Sequence, residues 1–595
     1  MAGMSDMCRR NRWKLCIGIV GVAVCAALLL AWPRQRELSD STSKEQTSPT
    51  LPKVHQEFLW NAESVGLELG QFAWPQFADA LRSANADAVS ALFAKGFQAE
   101  ISSQSKRLEV EREFGLLVRN EADGSEWKQL DASDFTSWLL DHRDRFDASP
   151  EDVKFSLKAI SPLNRDQPTG DWKGTVAIEI RSTETSGIRR ELVILLDFQS
   201  VHPERESLAK GGWLRSCRVL QVSIAHSDHP LMNEVAIERG LPDNLHDNWA
   251  GGGSLVNTGG AYFCDYNRDG CLDVLLMDTS KFVPSMLYRG SPEGQFVDVT
   301  REVGLSRAPP ALHAAFVDID NDGWEDIVLP GVAVYRNVNG GHFEDITNHS
   351  NLTALIASHG PLINVTGITV ADYDRDGRID IYVTRGDARN FKSGSWIDGK
   401  SGMQWQNQLL RNLGGGIFGD VSVETGTSGD HRSVFTAAWL DANDDGLPDL
   451  YVIHEFGPGA LLVQAPDGAF QQRQLSQHSS DFGSMGLAAG DINNDGQVDL
   501  FVSNMYSKAG NRVIDNLPVG HYDAEVMRKL RRMVAGSELY VNQGELSFEA
   551  IAKNVQVSKL GWSWGTAMVD LDNDGWLDLY STCGFISHDR KKSDG

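Results

Sequence analysis

The sequence predicts a mainly β protein: a six- or seven-bladed β-propeller, preceded by a small α+β cone-like domain and an N-terminal membrane anchor. Three observations predict it. A nine-residue pattern, D-x-[DN]-x-[DN]-G-x-x-D, occurs six times after residue 226, and each copy is followed at once by an apolar run. Between residues 150 and 225 apolar and polar residues alternate with a period of two, the mark of half-buried strands. Near the N-terminus, 18 residues without a charge are framed by Arg and Lys.

That uncharged stretch, residues 15–32, is just long enough to span a bilayer. Arg9, Arg10, Arg12 and Lys14 precede it and Arg34 and Arg36 follow, so the positive-inside rule leaves residues 1–14 in the cytoplasm and exports the rest to the periplasm or cell surface. A cleaved signal peptide is the competing reading, although no A-x-A site follows. Residues 33–56 are polar and Pro-containing, a flexible linker.

Residues 57–225 form the first folded region. Phe77, Leu81, Ala84, Ala88 and Leu92 recur at helical spacing from Pro75 onward, and a second helix is expected over residues 134–146. Three or four antiparallel strands should follow. Helices before a curved sheet resemble the SnoaL-like, nuclear-transport-factor-like cone in element order. No paired carboxylates single out a catalytic set, so a spacer or dimerisation module is expected, with a ligand pocket as the alternative.

Composition narrows the function. A chain of 595 residues with 41% hydrophobic residues can bury two or more full cores, which excludes disorder throughout. Against 55 Lys and Arg stand 81 Asp and Glu, and the net charge of −26 disfavours nucleic acid and favours cations. Seven cysteines without zinc or haem spacing make no disulfide framework. Cys264 and Cys271 read as two buried thiols, with a disulfide as the alternative.

The six copies, in residues 226–595, begin at Asp265, Asp318, Asp372, Asp441, Asp491 and Asp570. Their spacing suits one four-stranded blade per copy. The chemistry of the pattern is that of a hard cation, for which Ca²⁺ fits best: side-chain oxygens at positions 1, 3 and 5, a Gly at 6 for the sharp turn, a backbone carbonyl at 7 and a closing carboxylate at 9. The candidate ligands are therefore Asp265, Asn267, Asp269, Cys271 and Asp273; Asp318, Asp320, Asp322, Trp324 and Asp326; Asp372, Asp374, Asp376, Arg378 and Asp380; Asp441, Asn443, Asp445, Leu447 and Asp449; Asp491, Asn493, Asp495, Gln497 and Asp499; and Asp570, Asp572, Asp574, Trp576 and Asp578. The closing acid at position 9 rather than 12, with a strand after it, excludes an EF-hand. Solvated Asp-Gly turns are the alternative, but three or four carboxylates within nine residues repel one another without a cation.

Around each copy more of the unit recurs. A small-residue strand precedes it, a third strand such as Val334-Tyr335-Arg336-Asn337 comes later, and a fourth opens with Phe, as at Phe296, Phe343 and Phe418. These units resemble FG-GAP/VCBS repeats, found also in integrin α-subunits. SNMYSKAGNR at residues 503–512 and GWSWGTAMVDLDNDGWLDLY at 561–580 resemble the ASPIC/UnbV, cartilage-acidic-protein-like type. The resemblance implies a calcium-bearing extracellular β-propeller for cell adhesion or recognition, with no common reaction. The last unit lacks its third and fourth strands, so either residues 232–241, which look like a fourth strand, help close the ring, or the chain is a fragment.

Two long intervals place insertions at residues 385–408 and 504–538, on the face away from calcium. Arg389, Trp396 and Trp405 in the first, and Tyr506, His521, Tyr522 and the basic run Arg528, Lys529, Arg531 and Arg532 in the second, suit a protein or carbohydrate partner, with a lid packed on its own blade as the alternative. The two insertions are expected to reach towards each other, and deleting 387–403 to abolish capture. His313, His359 and His431 read as ordinary loop histidines, and Arg385-Gly386-Asp387 as an accidental match to the integrin-recognition tripeptide. An enzyme, a hydrolase or lyase at the channel mouth, is the alternative to a binding module.

Overall fold

The computed structural model describes residues 53–583, except 113–114, 123, 145–151, 165–168, 184–187, 203–204, 228–231, 243–259, 278–284, 387–405, 430–431, 476–481, 519 and 521. The expected anchor at 15–32, Arg389, Trp396, Trp405, His431 and His521 lie outside the described residues. Among the described residues no helix is long and apolar enough to cross a membrane. The chain divides into two compact units.

The first unit holds the described residues up to Asn233 and, from far along the chain, Lys508–Ala524. Helix α1 (Lys53–Glu68) passes through one π turn (Leu69–Ala73) into α2 (Trp74–Arg82), where Pro75 sits in the first turn and its missing N–H breaks no bond. Asn85 caps α3 (Ala86–Ser90) by accepting from the Ala88 N–H at 3.0 Å, and Asp131 caps α4 (Ala132–Arg143) by accepting from Asp134 at 2.9 Å.

The strands are β1 (Phe93–Ser102), β2 (Ser105–Arg112), β3 (Gly115–Ala122), β4 (Trp127–Leu130), β5 (Asp152–Pro162), β6 (Trp172–Thr183), β7 (Arg189–Ser200) and β8 (Leu214–Ser227). They form one sheet in the order β2-β3-β8-β7-β6-β5, with β1 parallel to the first half of β8 and β4 beyond it. The expected three or four strands are thus eight, and four of them precede α4. In β2 the charged residues Lys106, Arg107 and Glu109 leave little to bury, and Leu108 is 42% exposed. A polar edge hairpin leaves no period-two apolar signal.

A buried aromatic cluster lies on one face of this sheet. The Trp74 ring meets Trp213 edge-on at 4.8 Å, stacks on Phe155 at 5.1 Å and meets Phe198 at 5.1 Å, with Phe77, Trp172 and Val176 buried in the same cluster.

The second unit holds the described residues of Glu234–Ser507 and of Glu525–Ile586. Six antiparallel sheets follow one another: five of four strands each and a sixth of two, Ser563–Val569 and Asp578–Cys583. From the third sheet to the sixth, first strands of successive sheets pack side by side. Closure of the series into a ring is not seen among the described residues. Second strands such as Asp380–Arg385 and Asp449–His454 are buried at every position, and so read as continuous apolar runs.

Residues 232–241 are a correction: they form turns, not a strand. The Arg239 carbonyl accepts from Phe296 N–H at 2.7 Å, as the Val303 carbonyl accepts from Phe343 N–H at 2.8 Å. The segment is therefore the counterpart of the connection between one sheet and the next, and its hydrophobic spacing comes from an Ile-x-x-Gly-Leu turn.

Candidate metal centres

Each nine-residue copy is the loop between the first and second strands of a sheet, and the same hydrogen-bond network builds all six. The position-1 carboxylate accepts from the N–H groups of positions 5 and 6, as Asp318 does from Asp322 at 3.1 Å and Gly323 at 2.8 Å. The position-5 carboxylate accepts from position 7, as in Trp324 N–H to Asp322 at 2.9 Å. Curling the chain this tightly puts position 4 in the left-handed region: Arg268, Asn321, Arg375, Asp444, Asn494 and Asn573 have φ between 53° and 60°, and the Gly that follows at position 6 has φ between 79° and 92°. Only Gly takes the second of these cheaply.

Position 9 lies deeper. Asp380 is fully buried; its Oδ2 accepts from Tyr373 N–H at 3.1 Å and its Oδ1 from Asn412 N–H, on the third strand, at 2.7 Å. Asp326 holds Ile319 and Asn337, and Asp499 holds Ile492 and Asn542, in the same way. Burial pushes the carboxyls of Asp326 and Asp380 up to about 7 and those of Asp273 and Asp449 to about 6. A divalent cation in the loop reverses that balance by favouring the carboxylate.

Position 3 divides the loops into two sets. Where it is Asn, the side-chain amide is turned onto the position-5 acid: Asn267 to Asp269 at 2.8 Å, Asn443 to Asp445 and Asn493 to Asp495 at 2.9 Å. Where it is Asp, carboxylate oxygens converge. Those of Asp318, Asp320 and Asp326 lie within 4.8 Å of one another, as do those of Asp372, Asp374 and Asp380, and those of Asp570, Asp572 and Asp574. The acids at 1, 5 and 9 are explained by the turn alone. Position 3 is not, because Asp320 and Asp374 accept only long bonds, 3.2 and 3.3 Å, from the backbone. An all-oxygen cluster of this kind fits a hard cation.

The third loop already carries positive charge. Arg411 Nε lies 2.5 Å from Asp374 and its Nη2 3.3 Å from Asp376, to which Arg378 is also bonded. In the second loop the corresponding Arg336 is turned to Glu344, at 2.5 Å. Arg411 therefore competes with a metal ion. Replacing it, Arg411→Gln, is expected to raise calcium affinity at the third loop about threefold to tenfold, read by calorimetry against the wild type. Unchanged or weaker binding there would count against the competition.

Residues that sequence reasoning missed join the sheets together. Asn337 Nδ2 donates to the Tyr266 carbonyl of the preceding loop at 2.9 Å, Asn412 to Ile319 at 3.0 Å, Gln464 to Tyr373 at 3.0 Å and Asn542 to Ala442 at 3.2 Å. The signal was the amide that ends the third strand. Neighbouring loops also touch: Asn321 donates to the Gly377 carbonyl at 2.7 Å, Asn494 to Gly575 at 3.0 Å, and the Arg268 guanidinium lies 5.0 Å from the centre of the Trp324 ring.

At the opposite ends of the sheets the other candidates separate. His359 pairs with Asp420 at 3.0 Å, and burial lowers His313 to about 4. Arg385 is fully buried and bonded to Gln408 at 2.8 Å, so it is not presented to an integrin. Cys264 and Cys271 are free thiols, each only partly buried, and burial raises Cys264 to about 12. Tyr506 and Tyr522 are half-buried. The second insertion is a correction in part: Lys508–Ala524 belongs to the first unit, where Arg512 pairs with Glu63 at 3.0 Å and donates to the Leu157 carbonyl at 3.2 Å. An ion pair this buried holds the segment against α1 and β5 rather than over a partner-binding face.

Burial also raises Glu455 to about 7, with Ser433 donating to it at 3.4 Å. Its folded pKa lies above the unfolded value of about 4.3. That contribution to stability is full below pH 4 and is lost as pH rises through 7. Glu455→Gln is expected to remove about 2 kcal/mol of this pH dependence between pH 5 and 8, in urea melts at saturating calcium. Parallel pH profiles for the two proteins would refute it.

Three stretches, residues 265–329, 330–383 and 441–502, match the family described as FG-GAP-like repeat. The chain carries FG-GAP-like repeats on a mainly β scaffold. The sixth loop lies outside the matched residues. No curated protein matches the chain. Among solved structures it is similar to "Rd1NTF2_04 with long sheet", at 9% identity over 27% of this chain and 98% of that one, with a TM-score of 0.15. It is also similar to BBS1N in complex with ARL6DN, soaked with mercury, at 11% identity over 55% and 91% with a TM-score of 0.25, and to the same complex soaked with lead, at 10% over 55% and 92% with a TM-score of 0.24.

Proposed function

We propose that this chain is a membrane-tethered, calcium-binding β-propeller of the ASPIC/UnbV type, acting outside the cytoplasm as an adhesion or recognition module for a protein or glycan rather than as an enzyme. What supports calcium most is the convergence of position-3 carboxylates in three loops, since the turn itself does not need them. FG-GAP-like repeats support the recognition role. The residue 15–32 stretch and its flanking charges support the tether, and extracellular calcium suits loops of modest affinity. The expectation against catalysis rests on the scattering of His313, His359 and Glu455 among different partners.

The test is a glycan and extracellular-protein array probed with the full chain, with calcium and with chelator. Calcium-dependent capture of one ligand class is expected. Turnover of a captured ligand, lost on Glu455→Gln, would favour the hydrolase or lyase reading instead.

A further inference from the structure

The first unit carries an uncommitted polar strip on the outer face of its sheet. Cross-strand partners run Gln98 (β1), Ser216 (β8), Gln199 (β7), Lys173 (β6) and Ser161 (β5), one residue per strand. All five point away from the aromatic core, because their neighbours Phe198, Cys217, Trp172 and Ile160 are the buried ones. Among the described residues none of the five side chains is hydrogen-bonded.

The adjacent row is different. Glu100 is paired with Arg218, whose guanidinium also lies 4.7 Å from the centre of the Trp127 ring, and Asp197 accepts from Thr175 at 2.5 Å. There Glu100 and Arg218 are spent on each other and Asp197 is taken by the Thr175 hydroxyl. In the strip, two amides, two hydroxyls and one ammonium are left over.

Both rows line one open cleft of about 620 Å³, the size of small-ligand sites. Its far wall is the segment Arg512–Asn516. Asn516 is 3% exposed; its Nδ2 donates to the carbonyls of Ile160, at 2.8 Å, and Arg512, at 3.0 Å. Those two acceptors fix which end of the amide is nitrogen, and Asn516 Oδ1 is left buried without a donor.

We propose that this cleft binds a neutral oligosaccharide laid across the strands, a site separate from the metal loops and independent of them. Strands lie about 4.8 Å apart, so the five-strand strip is about 19 Å long and presents one polar side chain per step, a spacing comparable with one sugar ring. Hydroxyls both donate and accept. They satisfy Lys173, which needs an acceptor, while the amides of Gln98 and Gln199 take either role. The charges lining the cleft balance, Lys173, Arg218 and Arg512 against Glu100, Asp197 and Asp515, which favours a neutral ligand over an anionic or a cationic one. A second copy of this chain is a poorer occupant, because the strip offers no apolar centre for an interface.

The experiment titrates the full chain, in a detergent without a sugar headgroup, with cellohexaose, chitohexaose and maltohexaose, by calorimetry and with chelator present. One of the three is expected to bind with a dissociation constant on the order of 0.1–1 mM. The double variant Lys173→Ala/Gln199→Ala, both exposed positions, should weaken it at least tenfold with an unchanged melt. A second strip variant, Ser161→Ala/Ser216→Ala, should weaken it as well, and Asp320→Ala in the second metal loop should leave it unaltered. Absence of binding by all three sugars, or binding that both strip variants leave intact, overturns the proposal. So does a dimer that the double variant dissociates without any sugar binding. Because chelator is present throughout, failure here is distinct from failure of the calcium reading.

Discussion

Excess chelator is expected to lower the melting temperature of the repeat unit by about 10 °C or more, and calcium, but not magnesium, to restore it. In three loops the oxygens of three carboxylates sit within 4.8 Å of one another; in the second and sixth their repulsion opposes folding unless a cation is bound, while in the third Arg411 and Arg378 already offset part of it. One site filled at a hundred times its dissociation constant adds about 2.7 kcal/mol. Three such sites add about 8, which in a unit of this size corresponds to a shift of about 10 °C. Magnesium holds its waters and demands octahedral geometry, so it rescues poorly. Differential scanning calorimetry of the full chain with and without chelator measures the shift. A superimposable pair of melts would leave the acids as turn formers only.

The second large effect is expected from Asp380→Ala. The carboxylate holds the Tyr373 and Asn412 N–H groups, both buried, and Asn412 in turn joins its sheet to the one before through Ile319. Two buried donors left without an acceptor cost about 1–3 kcal/mol each, so about 4 kcal/mol is expected in urea denaturation even with chelator present. Asp380→Asn keeps an oxygen in reach of one donor and should lose about half of that. The metal-free protein should also respond to pH. Burial raises this carboxyl to about 7, above its unfolded value of about 3.9, so the contribution is full below pH 4 and lost as pH rises through 7. Calcium should abolish that loss. A cost below about 1 kcal/mol for Asp380→Ala would show that water, not the carboxylate, satisfies the two amides.

Much of the metal loop was legible because its requirements are local. Position 6 must be Gly for its φ, and positions 1, 5 and 9 must accept from N–H groups within eight residues, all inside a nine-residue window; only the second bond of position 9, from the third strand, lies outside it. The four strands per unit were legible for the same reason, since each hairpin pairs near neighbours in sequence and Asp380–Arg385 buries both faces. The N-terminal hairpin of β2 and β3 was not, because an edge strand of alternating charges buries too little to show a period.

What the tertiary structure decided lies in contacts between distant residues. That Asn337, Asn412, Gln464 and Asn542 bond backward to the loop of the preceding sheet follows from sheets packing side by side, 71 to 100 residues apart in sequence. That Arg411 reaches the acids at 374 and 376 follows from third-strand register. Residues 232–241 carry apolar spacing that a strand and a turn share, and only the bond from Phe296 to Arg239 separates the two. The segment at 508–524 reads as part of an insertion on the repeat unit, yet Glu63 and the open carbonyls of β5, some 350 to 450 residues away, claim Arg512 and Asn516. Local sequence specifies which backbone groups need partners within a turn or hairpin. Which distant surface supplies the remaining partners depends on the packing of the whole chain.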